Sequence, residues 1–161
     1  MHGCYWNCPA GAYLWAGAEA GSAAGHRATG ALVSSEIVLV LVALAVLEIK
    51  HFIIDYTLQS SYQYKNKGIY GHPGGIIHAG FQALGTLPAF LVITPSFAVG
   101  AAIVIAEFVV HYHVDWTKEQ LNKRLKVERG TAIYWFIFGA DQLLHHLTYI
   151  VIAGVLAAYA L

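Results

Sequence analysis

Charge is scarce in this chain of 161 residues. Nine basic and nine acidic side chains, 11% of the sequence, cancel to a formal charge of zero. Without a basic surplus there is no electrostatic footprint for phosphate backbones, so no nucleic-acid partner is expected. Cysteine is nearly absent. Cys4 and Cys8 share one short N-terminal stretch, too few for a disulfide scaffold and without the CxxC spacing or further ligands of a zinc knuckle. Familiar catalytic signatures are missing too. There is no GxSxG elbow and no HExxH, and His72-Pro73-Gly74-Gly75 has no Gly-Lys-Ser/Thr after it, so it is a turn and not a phosphate loop. The single adjacent pair, His145-His146, does not make the repeated His-x-x-His-His boxes of membrane desaturases. Nor does an early Lys or Arg precede a continuous apolar core, so the N-terminus does not read as a secretory signal.

What is plentiful is apolar side chain, 58% of the residues, laid out in long runs. Ile37–Ile54, Ile76–Ile93, Phe97–Val114 and a stretch within Thr131–Leu161 are each long enough, at a helical rise, to cross a bilayer core. Ile37–Leu47 and Phe97–Ala106 contain no charge at all, so they lack the polar face that helices of a soluble bundle need. The expectation is an all-α integral membrane four-helix bundle over residues 33–161, preceded by a Gly/Ala-rich arm, residues 1–32, that is extramembrane or interfacial. The polar passage Gln59–Gly75 and the charged stretch Trp116–Arg129 are expected as loops, and Thr94-Pro95-Ser96 as a tight reversal.

Four spans put Lys65 and Lys67 on the same side as Lys118, Lys123, Arg124, Lys126 and Arg129. Positive residues favour the cytoplasmic face, so both termini are expected outside, in the periplasm of a bacterial inner membrane. Tyr56, Tyr62, Tyr64, Tyr70, Trp116, Tyr134 and Trp135 gather near the same boundary, as an interfacial belt would.

Histidine is the compositional oddity: nine residues, equal to Lys and Arg together. His51-x3-Asp55 and His111-x3-Asp115 repeat one pattern, His-x-x-x-Asp-aromatic-Thr, and Asp141-x3-His145 reverses it on the fourth, antiparallel span. Residues four apart share a helix face, so each pair aims an imidazole and a carboxylate the same way, and His78 adds an imidazole from the second span. Ionisable groups at membrane depth are costly unless paired and mark functional sites. Imidazole and carboxylate together suit zinc, iron or manganese. His51, Asp55, His78, His111, Asp115, Asp141 and His145 are therefore expected to form one buried cluster holding a divalent metal. Such a set exceeds the needs of one tetrahedral ion, so either two ions bind or some members support the ligands from behind. Glu48, Glu107, Gln142 and His146 are the candidates for further supporting contacts. Glu48-x-x-His51 fits one Glu-x-x-His element of di-iron carboxylate bundles, but only one such element is present. The plainer alternative is that the His/Asp pairs glue helices together, and His72, His113 and His146 also fit as interfacial residues.

In order, His51-x3-Asp55-x3-Gln59, His78, His111-x-His113-x-Asp115-Trp116-x-Lys118 and Asp141-Gln142-x2-His145 resemble the small bacterial and phage inner-membrane proteins grouped as domain of unknown function 3307. The resemblance runs from about Glu48 to Ile150. It implies a multi-span membrane domain with a His/Asp set and no established activity. A looser resemblance is to small inner-membrane proteins labelled metal-dependent hydrolases, which is an analogy and not a mechanism.

Two functions follow as expectations. One is a metal-dependent hydrolase acting at the cytoplasmic leaflet, its ion held by His51, His111 and His145 with one or more of Asp55, Asp115 and Asp141, a spare carboxylate serving as general base. The other is a non-catalytic accessory subunit of a larger membrane complex, with the cluster structural.

Overall fold

The computed structural model describes residues 35–160. The arm expected over residues 1–32, with Cys4 and Cys8, lies outside them. The bundle lies within the unit Val38–Leu161. Among the described residues there is no strand. Four helical segments among the described residues are long and apolar enough to cross a membrane: Ser35–Leu58, Pro73–Val92, Phe97–Arg124 and Ala132–Ala157.

The helices begin where the sequence supplies caps. We label Ser35–Leu58 α1; its last six residues, Ile53–Leu58, are wound as π-helix. A short helix α2, Ser61–Asn66, follows within the passage expected to be loop, started by a capping box in which Ser60 and Gln63 each bond the other's backbone N–H. The helix α3, Pro73–Leu84, opens with proline at its first position, and His72 caps it through Nδ1, which accepts from the Gly74 N–H at 3.0 Å. The second span is not one smooth helix. Pro88 has no N–H to donate, and i→i−3 turns through Thr86, Leu87 and Ala89 join α3 to the short helix α4, Ala89–Val92. Ser96 caps α5, Phe97–Arg124, and Thr131 caps α6, Ala132–Ala157.

The long α5 departs from expectation. It does not stop at Val114 but runs on for almost three more turns, through the charged stretch that was expected as loop. Lys123 and Arg124 close its last turn, where cations suit the helix dipole, and Gly130, at φ 86°, turns the chain into α6.

Packing places α5 against both α3 and α6, with α2 on α3. The interior is polar toward the α1 C-terminus and apolar toward the α6 C-terminus. The apolar part is a cluster of Ala43, Leu47, Ala89, Ile93, Ile103, Tyr149, Ile152 and Leu156. The exterior is more apolar still: Leu91 is 87% and Phe97 92% exposed, and Ile105, Phe136 and Val151 are also outside. An outer surface of this kind is compatible with a multi-pass membrane protein, since a water-facing monomer does not leave so much contiguous apolar area uncovered.

Candidate metal centre

Each long helix carries one inward stripe of polar residues at a spacing of four. On α3 and the turns after it the stripe is His78, Gln82 and Thr86; on α5 it is Glu107, His111 and Asp115; on α6 it is Asp141, His145 and Tyr149, and every one of these is buried. On α1, His51 and Asp55 complete the ring, Asp55 lying in the π-helical turns, a winding that recurs at functional sites because it re-aims a side chain. The three His/Asp pairs meet. The His111 and His145 rings stack with centroids 4.1 Å apart, and His51 lies 5.2 Å from His145 and 6.2 Å from His111. Asp141, ten residues into its helix, reaches the level of the others because α5 extends so far beyond Val114.

The tightest convergence is on His78. Its Nε2 lies 3.1 Å from Asp55 Oδ1, 3.3 Å from Asp115 Oδ2, 3.2 Å from His111 Nε2 and 3.2 Å from the Gln59 amide nitrogen. A neutral imidazole nitrogen carries one proton or one lone pair, so it cannot answer four neighbours by hydrogen bonding. His111 Nε2 and Asp115 Oδ2 close a triangle with it, 3.6 Å apart. Tetrahedral ligands at zinc-like bond lengths stand about 3.3–3.4 Å from one another, and the three edges of this triangle, 3.2, 3.3 and 3.6 Å, bracket that value. Two overlapping trios, Asp55 with His78 and His111, and His111 with Asp115 and His145, have ligand atoms close enough to hold a metal ion.

The carboxylates are presented with one oxygen held and one free. Asp115 Oδ1 accepts from Lys67 Nζ at 3.0 Å and from Lys118 Nζ at 3.3 Å, while its Oδ2 has no hydrogen-bond partner. Asp141 Oδ2 accepts from Lys118 Nζ at 3.0 Å and from the Gln142 amide at 3.0 Å, while its Oδ1 is unpartnered. His145 Nε2 and His111 Nδ1 are likewise buried without partners. Buried polar atoms without a hydrogen bond are expensive, and these two carboxylate oxygens and two imidazole nitrogens, with Asp141 Oδ1 and His145 Nε2 only 3.7 Å apart, fit a site built for a cation. The charges agree. Asp55, Asp115 and Asp141 face two ammonium groups, and Asp55 has only imidazole and amide partners within reach: His78, His51 and Gln82 Nε2, the last at 2.6 Å.

Of the supporting residues expected from sequence, Gln142 lies at the cluster, its Oε1 3.2 Å from His51 Nε2. Glu107 lies one turn deeper, in a buried knot where it accepts from Lys50 and from Thr86; the Lys50 ammonium also donates to the Gln82 carbonyl at 2.7 Å and lies over the Tyr149 ring. Glu48 and His146 bond each other at 2.6 Å on a partly exposed face, although the His146 ring stands 5.6 Å from His51. His72 is a helix cap, and His113 bonds the Val109 carbonyl and Tyr70. Sequence reasoning missed Lys50, Lys67, Gln82, Lys118 and Tyr149. Gln82 and Thr86 were legible as the continuation of the His78 stripe, and Lys118 as a residue three after Asp115. Lys67 carried no such signal. It is drawn inward because Gly68 and Gly71 are tied to α5 by Gln120, Lys123 and Tyr112, and because Gly75 leaves room for the Lys67 backbone against α3.

The family described as Protein of unknown function (DUF3307) matches residues 40–160, and the chain belongs to it. No curated protein and no solved structure matches the chain.

Proposed function

From that membership and this geometry, we propose that the chain is a bilayer-embedded protein that binds one divalent cation and acts as a metal-dependent hydrolase at the cytoplasmic leaflet. The observation that carries this reading is the meeting of Asp55 Oδ1, Asp115 Oδ2, His111 Nε2 and the Gln59 amide nitrogen on His78 Nε2. His78, His111 and Asp115 would hold the ion with Asp55 beside them, a nitrogen and oxygen set that suits zinc, iron or manganese. When bound, such an ion supplies Lewis acidity toward a carbonyl or phosphoryl oxygen. The chain's own residues do the rest. Lys67 and Lys118 hold the outer carboxylate oxygens so that the inner ones face the centre. Tyr149 Oη, 3.1 Å from His51 Nδ1, fixes that imidazole, and the free Asp141 Oδ1 is the proton acceptor. The basic ends of α2, α5 and the α5–α6 turn would face the cytoplasm of a bacterial inner membrane, both termini lying outside.

Elemental analysis of the purified full chain tests the reading, with one divalent ion per chain expected. A chelator-stripped sample that keeps its thermal stability and any hydrolytic activity would overturn it. A second reading, an accessory subunit of a larger membrane complex, is favoured by the open apolar faces around Leu91, Phe97 and Phe136. Stoichiometric partners co-purifying in mild detergent would support it, and a chain that runs alone would count against it.

A further inference from the structure

The polar half of the interior opens to the surface through a cleft of about 220 Å³. Its floor includes Asp55 and Gln142, both part of the His/Asp cluster. Lys67 and Lys118 line it, and Tyr56, Tyr64 and Tyr134 stand around it. Asn122 also lines this cleft, and its side-chain oxygen is buried without a hydrogen-bond partner, so a donor is wanted there from outside the chain.

Lys118 belongs to a second feature as well. Together with Asp141 it lines one end of an apolar groove of about 440 Å³ between α5 and α6, walled by Val114, Leu121, Ile137 and Leu144. Past Val110 the groove continues along the same two helices into a further space of about 540 Å³ between Ile103 and Ile152. From Lys118 back to Ile103 is about 22 Å along a helix, more than the roughly 15 Å depth of one leaflet's hydrocarbon.

We propose that cleft and groove together bind one membrane lipid with a phosphate headgroup, the phosphate lying by Lys67 and Lys118 and an acyl chain along α5 and α6. As a substrate class this rests on the metal-dependent hydrolase reading. Charge selects the headgroup. Lys67 and Lys118 bring two ammonium groups to the cleft, and a phosphodiester oxygen can accept from them beside the aspartate oxygens they already hold. The headgroup's hydroxyls or amine supply the donor that Asn122 lacks. Tyrosines with apolar rings and polar tips belong at a membrane boundary, and a soluble phosphate ester has no use for the groove.

Calorimetry on the full, metal-loaded chain in neutral detergent tests this, with dihexanoyl phosphatidylglycerol, dihexanoyl phosphatidylcholine and inorganic phosphate as probes. Phosphatidylglycerol is expected to bind at least tenfold tighter than either of the others. Lys67→Gln should weaken it about tenfold, the effect of one charge-assisted hydrogen bond. Leu144→Trp, which fills the groove from an exposed position, should weaken the lipid and leave inorganic phosphate unchanged. Equal affinity for phosphate and lipid overturns the lipid assignment, equal affinity for the two lipids overturns the selection of an anionic, donor-bearing headgroup, and no binding overturns both. Metal content of the same sample separates the two readings. Bound metal without lipid binding overturns only this site, and lipid binding without metal overturns only the metal centre.

Discussion

The two ends of the interior are built on the same four stripes and held together differently. On α6 the inward residues run Asp141, His145, Tyr149 and then Ile152 and Leu156; on α5 they run Asp115, His111, Glu107 and then Ile103 and Gly100; α3 and α4 pass from His78, Gln82 and Thr86 to Ala89 and Ile93. In the apolar end the side chains are no more apolar than those outside, so in a bilayer burial there yields little hydrophobic gain. What remains is close packing, helped by small residues such as Ala43, Ala89 and Gly100. In the polar end every helix contributes a charge or a dipole, and leaving any one unpaired in low dielectric costs several kcal/mol. The first end can be repacked. The second is over-determined, and its free oxygens and nitrogens are the part that stability alone does not explain.

The largest break in this comparison is expected from Asp115→Ala. It removes a ligand and strands Lys67, so metal content should fall from one ion per chain to none, with a stability loss of about 3–5 kcal/mol, read by elemental analysis and thermal melting in detergent. Next comes the Lys50–Glu107 knot. Glu107→Leu alone should cost about 3–5 kcal/mol by leaving a buried ammonium, whereas Lys50→Met with Glu107→Leu should come out near neutral; equal losses in the single and double variants would show that the pair does more than neutralise itself. In the apolar end, Leu156→Ala should cost about 2–4 kcal/mol through the cavity it opens while metal content stays unchanged, and a loss of metal there would erase the distinction between the two ends. Tyr149→Phe, at the junction, loses only the bond to His51 Nδ1 and should cost about 0.5–1.5 kcal/mol, read by thermal melting, while metal content stays at one ion per chain. The smallest effect belongs to His146→Ala on the partly exposed face, below about 1 kcal/mol with full metal occupancy.

Much of this was legible in the sequence. The His51, His111 and Asp141 pairs could be read as inward faces because a helix repeats near every fourth residue, whatever packs on it. The long α5 was hidden because charge between Trp116 and Arg124 looks like loop when spans are sought by hydropathy. Those charges in fact continue a helix that turns a buried Asp115 and a half-buried Lys118 to the interior and whose end is favourable for Lys123 and Arg124. The central place of His78 was hidden for another reason: near the start of its span it has no carboxylate at helical spacing, and its four neighbours come from α1, the segment after α1, and α5.

By itself the sequence determined the helical class, the four apolar runs and the list of groups that must find partners inside, since periodicity and composition are local properties. Only the tertiary structure decided which oxygen of Asp115 and of Asp141 is held by lysine and which has no hydrogen bond, because Lys67 arrives from a loop pinned to α5 and Lys118 bridges to Asp141 on another helix. That choice separates a set of ion pairs from a site that can receive a cation.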